Sequence, residues 1–281
     1  MAKIKAVVFD AYGTLFDVYS IQDLAERLYP KHGSDIALKW RDKQIEYTRL
    51  ITQSDPHHAS GSRFFRPFWE LTRLSLEYTL DRLQLDRTSG QVEQLMQQYA
   101  HLAPFPENLS VLQKIKDWGL TTAILSNGSM DMLLAAVQSA KMDRVIDHII
   151  SVDAVRLFKT APESYGLAES ILAVNKDEVL FVSSNGWDAL GATWFGFVTH
   201  WVNRQGLPFE ALSPREAVRE GVQVIFQDFS LLPNLTVAEN IALPTYISKN
   251  SRFLSKKESK EIARTALDLI GVDIDINSPV A

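Results

Sequence analysis

Asp10, Gly13 and Thr14 set a carboxylate, a turn-forming residue and a hydroxyl within one short stretch, directly after the apolar run Ala6-Val7-Val8-Phe9. A continuous apolar run of this kind is the pattern of a buried parallel strand, and an acid at its carboxyl end is displayed where open α/β sheets bind ligands. Such an acid can attack an electrophile as a nucleophile, or it can simply cap the following loop. Gly13 lets the chain turn sharply, and Thr14 can donate a hydrogen bond to an anion. Two later apolar runs end in the same way. Leu120–Leu125 runs into Ser126-Asn127-Gly128-Ser129, and Glu178–Val182 runs into Ser183-Ser184-Asn185. Three polar strand ends converging on one crevice favour the nucleophile over the cap.

Other reactive side chains are less informative taken singly. Arg41 sits in a helical pattern and Lys159 just before one, where a cation is ordinarily solvated. Ser126 and Ser183 suit strand-end turns, Trp187 a core aromatic, and Tyr165 a half-buried packing residue. His57 and His58 fall within Ser54–Ser62, a polar stretch rich in helix breakers, and read as solvated.

The elements that must position these residues follow from periodicity. Ile21, Leu24, Ala25 and Leu28 recur at helical spacing behind Ser20, a candidate cap. Further helices are predicted from Ser34 to Leu50, Phe64 to Leu83 and Ser89 to Leu102, with Pro104 and Pro106 closing the block. From there helix and strand alternate. Helix Leu109–Trp118 is stopped by Gly119, and strand Leu120–Leu125 follows. Helix Met130–Ala140, a short strand near Ile149–Val152 and helix Glu163–Leu172 come next. Strands Glu178–Val182 and Phe197–Val202 complete the series. The pattern predicts an α/β fold, a doubly wound parallel sheet with a helical cap inserted after the first strand.

Composition bounds the function classes. The 281 residues are 46% hydrophobic and 22% charged, with a net charge of −5, an ordinary globular balance with no electrostatic reason to expect nucleic acid or an anionic membrane as partner. No cysteine is present, which excludes disulfides, thiolate catalysis and zinc–thiolate sites. Met1–Lys5 leads straight into a core strand and no apolar run approaches spanning length, so a cytoplasmic protein is expected.

The segments Phe9–Asp17, Trp40-Arg41 with Gln44–Tyr47, Leu125–Ser129, Lys159, Tyr165 and Phe181–Asp188, in that order, resemble the haloacid dehalogenase superfamily. Within it they resemble the type II L-2-haloacid dehalogenases, over Met1 to about Leu212. The resemblance implies a Rossmann-like core at 1–16 and 104–212 and a helical cap at 17–103. Two departures from the superfamily's phosphatases bear on the chemistry. Tyr12 stands where phosphatases carry a second aspartate as general acid, and a tyrosine cannot fill that role near neutral pH. Ser183–Asp188 is also poorer in carboxylates than a dedicated hard-cation site requires. Both favour carbon–halogen cleavage without metal or cofactor; a superfamily phosphatase and an inactive fusion are the alternatives.

The resemblance further implies a role for each residue. Asp10 attacks C2 of a small 2-haloacid, forming an ester and inverting the centre, with Lys159 as its counter-charge. Thr14, Ser183 and Asn185 orient the carboxylate and the attacking water. Arg41 holds carboxylate or halide and Asn127 assists in holding the halide, while Ser126 with the backbone amides of Ala11 and Tyr12 holds the substrate carboxylate. Asp188, with Lys159, is the base for ester hydrolysis. Tyr165 buttresses this network, and Trp187 with aromatic residues of the cap walls off water. A homodimer through the cap is implied too, and the Ser54–Ser62 loop, longer than in compact members, could reshape that contact or the entrance. Thr160 and Ala161 follow Lys159 where a proline often stands.

From about Ser213 the sequence changes character. Gly221–Asp228 and Leu232–Ile241 resemble the Q-loop region of a sugar-type ABC transporter ATPase, with Gln227 at the Q-loop glutamine and Leu254–Gly271 like the following helical subdomain. No Gly-x-x-x-x-Gly-Lys-Ser/Thr phosphate loop accompanies it, so nucleotide hydrolysis is not expected. Val222–Phe226 has strand character and is expected either to pair with the sheet edge or to leave that edge open. Lys249–Ala281 is expected to be an amphipathic helix that docks poorly or moves freely.

Overall fold

The computed structural model describes residues 3–204, 206, 222–226, 235–248, 255–270 and 272–279. Its strands are β1 (Ala6–Phe9), β2 (Thr121–Ser126), β3 (His148–Ser151), β4 (Val179–Ser183), β5 (Val198–Asn203) and β6 (Val222–Phe226). They form one sheet in the order β3-β2-β1-β4-β5-β6. The pairs β2–β3, β4–β5 and β5–β6 are parallel, in registers such as Leu125↔Ile150, Phe181↔Thr199 and Trp201↔Val224. Ala6, Val7, Val8 and Phe9 are all buried, as the apolar run requires. The helices are α1 (Gln22–Leu28), α2 (Gly33–Ser54), α3 (Phe68–Arg82), α4 (Ser89–Tyr99), α5 (Asn108–Asp117), α6 (Met130–Ser139), α7 (Pro162–Leu172), α8 (Gly186–Phe195), α9 (Val237–Ser248) and α10 (Lys256–Ile270). The fold is the doubly wound α/β class expected, with four helices inserted between β1 and α5.

Two compact units divide the chain. One comprises residues 8–114 and 122–173, and the other 1–7, 115–121 and 174–281.

In the first unit the inserted helices pack by small, satisfied contacts. Trp40 Nε1 of α2 donates to the Thr72 carbonyl of α3 at 2.8 Å. The buried hydroxyls of Thr72, Ser75 and Thr79 return to carbonyls of their own helix at 2.7–2.9 Å, so α3 buries them without an unsatisfied donor. Asp17, rather than Ser20, caps the helical entry, accepting from Tyr19 N at 2.9 Å; Ser20 turns its hydroxyl back to the Asp17 carbonyl. The Ser54–Ser62 loop is tied down at its end: Ser62 N donates to the Arg156 carbonyl, and Gly61, at φ +81, passes against Val155 and Arg156 with no room for a Cβ. His57 and His58 are exposed.

In the second unit, Lys5 N donates to the Glu178 carbonyl and Thr121 N to the Lys5 carbonyl. The Val222–Phe226 segment forms β6 and pairs with β5, the first of the two outcomes expected for it. Across 256–270 the expected C-terminal helix forms and has a packing partner within the tail. Helix α10 packs on α9, and Ala238, Ala263, Leu267 and Ile276 form a buried cluster joined by Ile241 and Val272. The apolar stripe of α10 finds its partner within the tail itself. Gln227 and residues 207–221 and 227–234 lie outside the described residues.

Helix α8 is a further correction. Periodicity gives no helix between the strands at 178–182 and 197–202, yet Gly186–Phe195 is helical and ends at Gly196 in the left-handed region, φ +115.

Candidate active site

Beyond Phe9 the chain turns on a single carbonyl: Ala11 O accepts from Leu15 N at 2.8 Å and Phe16 N at 3.0 Å. The turn needs φ +92 at Gly13, a conformation available to glycine at little cost. It presents Asp10, 5% exposed, at the carboxyl end of β1. Thr14 Oγ1 donates to Asp10 Oδ2 at 3.1 Å, and Lys159 Nζ donates to Oδ1 at 3.1 Å. Both carboxylate oxygens are therefore engaged and the group is fixed in orientation.

Lys159 is held from behind. Its backbone N–H donates to Asn127 Oδ1 at 2.9 Å, so the Asn127 side chain connects the end of β2 to the lysine. Just upstream, Phe158 N donates to Thr52 Oγ1 of α2, and the Phe158 ring stacks on Phe65 at 5.1 Å. Ser126 Oγ accepts from Gly128 N at 3.1 Å, and Ser151 at the end of β3 donates to the Gly128 carbonyl at 2.7 Å. These contacts shape the Asn127-Gly128 turn.

Arg41 extends from α2 to the same loop. Its Nη2 donates to the Tyr12 carbonyl at 3.2 Å and its Nη1 to Gln44 Oε1 at 2.8 Å. Burial is the largest cause raising Tyr12 well above the usual tyrosine range; Tyr99 raises it further, Arg41 lowers it and Asp10 raises it. The Tyr12 ring lies among Tyr99, Phe68 and Phe16, with centroids 5.7, 5.7 and 6.4 Å away. A hydroxyl held protonated in this apolar box supplies no general base.

Asp10, Ala11, Tyr12, Thr14, Arg41, Ser126, Asn127, Lys159 and Tyr165 all belong to the first unit, each buried. Ser183, Asn185, Trp187 and Asp188 belong to the second. There Ser183 closes β4 and its Oγ accepts from Asn185 N at 3.1 Å, while Asp188, fully buried, lies in the first turn of α8. Sequence reasoning assigns no site role to Gln44, Tyr99 or Thr72. Gln44 is fully buried, accepts from Tyr99 OH at 3.1 Å and donates to Thr72 Oγ1 at 2.7 Å. The signal that could have found it is spacing: Trp40, Arg41, Gln44 and Thr48 share one helical face. Among the described residues no cluster of histidine, aspartate and glutamate could hold a metal ion.

A strand-end carboxylate held by a hydroxyl and a buried lysine, with an arginine from an inserted helix on the adjoining loop, is the arrangement by which an α/β enzyme can use a carboxylate as nucleophile. Residues 4–196 match the haloacid dehalogenase-like hydrolases, and the chain belongs to that family. It is 42% identical over 222 residues to (S)-2-haloacid dehalogenase H-109 of Pseudomonas putida, covering 78% of this chain and 96% of that protein. It is 47% identical over 215 residues to an (S)-2-haloacid dehalogenase of Xanthobacter autotrophicus, covering 76% and 80%. Among solved structures, the L-2-haloacid dehalogenase RSc1362 superposes with a TM-score of 0.73 at 48% identity, over 79% of this chain and 95% of that one.

Proposed function

We propose that this chain hydrolyses the carbon–halogen bond of short L-2-haloalkanoic acids, yielding D-2-hydroxy acids by inversion at C2. The observation that carries the reading is the Asp10 carboxylate fixed between Thr14 Oγ1 and Lys159 Nζ at the end of β1. An Asp10 oxygen attacks C2 from the face opposite the halogen; the new C–O bond forms as the carbon–halogen bond breaks and halide departs. Water then adds to the ester carbonyl of Asp10, expelling the hydroxy acid and restoring the carboxylate. In this reading Asp188, with Lys159, takes the proton from that water, while Ser183 and Asn185 position it. Arg41 and Asn127 receive the halide. Ser126 and the Ala11 and Tyr12 amides hold the substrate carboxylate, Tyr165 supports Lys159, and Trp187 excludes water. A relative of known structure, the Xanthobacter autotrophicus L-2-haloacid dehalogenase with chloropropionic acid covalently bound, is 39% identical with a TM-score of 0.66.

The same reading divides the chain into a core at 1–16 and 104–212, a cap at 17–103 and an ATPase-like fragment at 213–281 that does not take part in the chemistry. It places the enzyme in the cytoplasm as a homodimer. The test is halide release from both enantiomers of 2-chloropropionate. Release from the (S) form alone, abolished in Asp10→Asn, is expected. Unchanged turnover in Asp10→Asn, or magnesium-dependent phosphate release with no halide, overturns it.

A further inference from the structure

Arg41 reaches the Asp10 loop from the helical insertion, where the neutral side chains of Gln44 and Tyr99 both hydrogen-bond to it. Gln44, one turn along α2, accepts from Arg41 Nη1 at 2.8 Å while the second guanidinium nitrogen sits on the Tyr12 carbonyl at 3.2 Å. Both of these acceptors are neutral. They fix the plane of the guanidinium, and neither of them cancels its charge.

The Gln44 amide has one orientation consistent with its neighbours. A guanidinium only donates, so the atom facing Arg41 must be Oε1. That oxygen also accepts from Tyr99 OH at 3.1 Å. On the other side Nε2 donates to Thr72 Oγ1, whose own proton goes to the Phe68 carbonyl. Trp40, beside Arg41, is tied to the Thr72 carbonyl. Gln44 of α2 thus makes polar contacts to both α3, at Thr72, and α4, at Tyr99.

We infer that Gln44 is a positioning residue for the dehalogenation proposed above: it aims Arg41 at the departing halide and, being uncharged, sets no negative charge beside that anion. A glutamate in its place would still accept from Arg41 and Tyr99 but would draw on the guanidinium charge and repel halide. A methionine would match its length and remove the acceptor altogether.

The experiment compares wild type, Gln44→Glu and Gln44→Met in steady-state turnover of (S)-2-chloropropionate, bromide inhibition and thermal melting. Misdirecting a positioned group costs on the order of 10- to 100-fold. For Gln44→Glu the expected result is a loss of that size in both bromide inhibition and kcat/KM; the contacts to Arg41 and Tyr99 survive, the donor to Thr72 Oγ1 is lost, and melting falls while the fold is retained. Gln44→Met is expected to lower kcat more than it raises KM. A folded Gln44→Glu with wild-type bromide inhibition and KM overturns the inference. Absence of halide release from the wild-type enzyme would instead overturn the dehalogenase reading, and bromide titration by calorimetry would still report on the Arg41–Gln44 pair.

Discussion

Lys159 Nζ and Asp10 Oδ1 lie 3.1 Å apart with their side chains 0% and 8% exposed, so the ion pair sits almost wholly out of water. Removing two charges from water is costly, and the pair repays it only because each member is held by further contacts, Thr14 on the acid and Asn127 on the lysine backbone. In the proposed dehalogenation the pair serves the chemistry more than the stability of the fold.

That distinction can be measured. Lys159→Met leaves a buried carboxylate without its counter-charge and is expected to destabilise the fold by about 3–5 kcal/mol. Asp10→Asn with Lys159→Met removes both charges and is expected to recover most of that loss. Both variants should be inactive. Urea denaturation of the two single variants and the double variant closes the cycle; a double variant as unstable as Lys159→Met would show that the lysine stem, not the charge, holds the site.

Gly128 gives a sharper steric test. A Cβ there would come within 2.7 Å of Tyr12 Cε2 and 3.1 Å of Leu133 Cδ2. Tyr12 has no room to retreat, since Phe68 and Tyr99 flank its ring. Gly128→Ala is expected to cost about 1–3 kcal/mol by overpacking and to raise KM, because the Tyr12 carbonyl that anchors Arg41 must move with the ring. Melting and steady-state kinetics check it.

Strand ends are legible in the sequence because their chemistry is local: an apolar run followed by a polar turn identifies itself at Asp10, Ser126 and Ser183. The features that stay hidden are those set by tertiary contact. Helix α8 is buried on most sides, at Gly186, Asp188, Ala189, Leu190, Gly191 and Ala192, so no polar stripe marks its period, and two glycines weaken its propensity. The amide of Gln44 looks like any solvated glutamine until α3 and α4 close over it. Asp17 takes the cap from Ser20 because the helical entry begins at Val18, ahead of the point where the apolar repeat shows. In the tail, the strand at Val222–Phe226 can be read from its β-branched residues, whereas the docking of α10 on α9 depends on pairing two separate apolar stripes.

His200 on β5 links stability to pH. Burial lowers it from its ordinary value to about 4, and its Nδ1 has no hydrogen-bond partner among the described residues. Between pH 6.5 and about 4 the unfolded chain binds the proton and the folded chain does not, so stability falls as pH falls through that window. The steepest contribution is about 1.4 kcal/mol per pH unit. His200→Gln should flatten this acid limb in urea titrations at successive pH values; an unchanged limb would place the proton elsewhere.

The tail hairpin tests how far the family core is independent of the C-terminal helices. The Pseudomonas putida relative aligns over 96% of its length with 78% of this chain, and in this chain α9 and α10 share a buried cluster. Ala263 is fully buried within that cluster. Ala263→Asp sets a carboxylate against Ala238, Leu267 and Ile276, and a polar group buried without a partner costs on the order of 2–7 kcal/mol. The hairpin is therefore expected to open, with new protease cleavage between residues 237 and 270 and with the protection of residues 6–203 unchanged by hydrogen exchange. Halide release is expected to persist at the wild-type rate. Loss of turnover together with loss of protection in β4 and β5 would show instead that the hairpin completes the unit carrying Ser183 and Asp188.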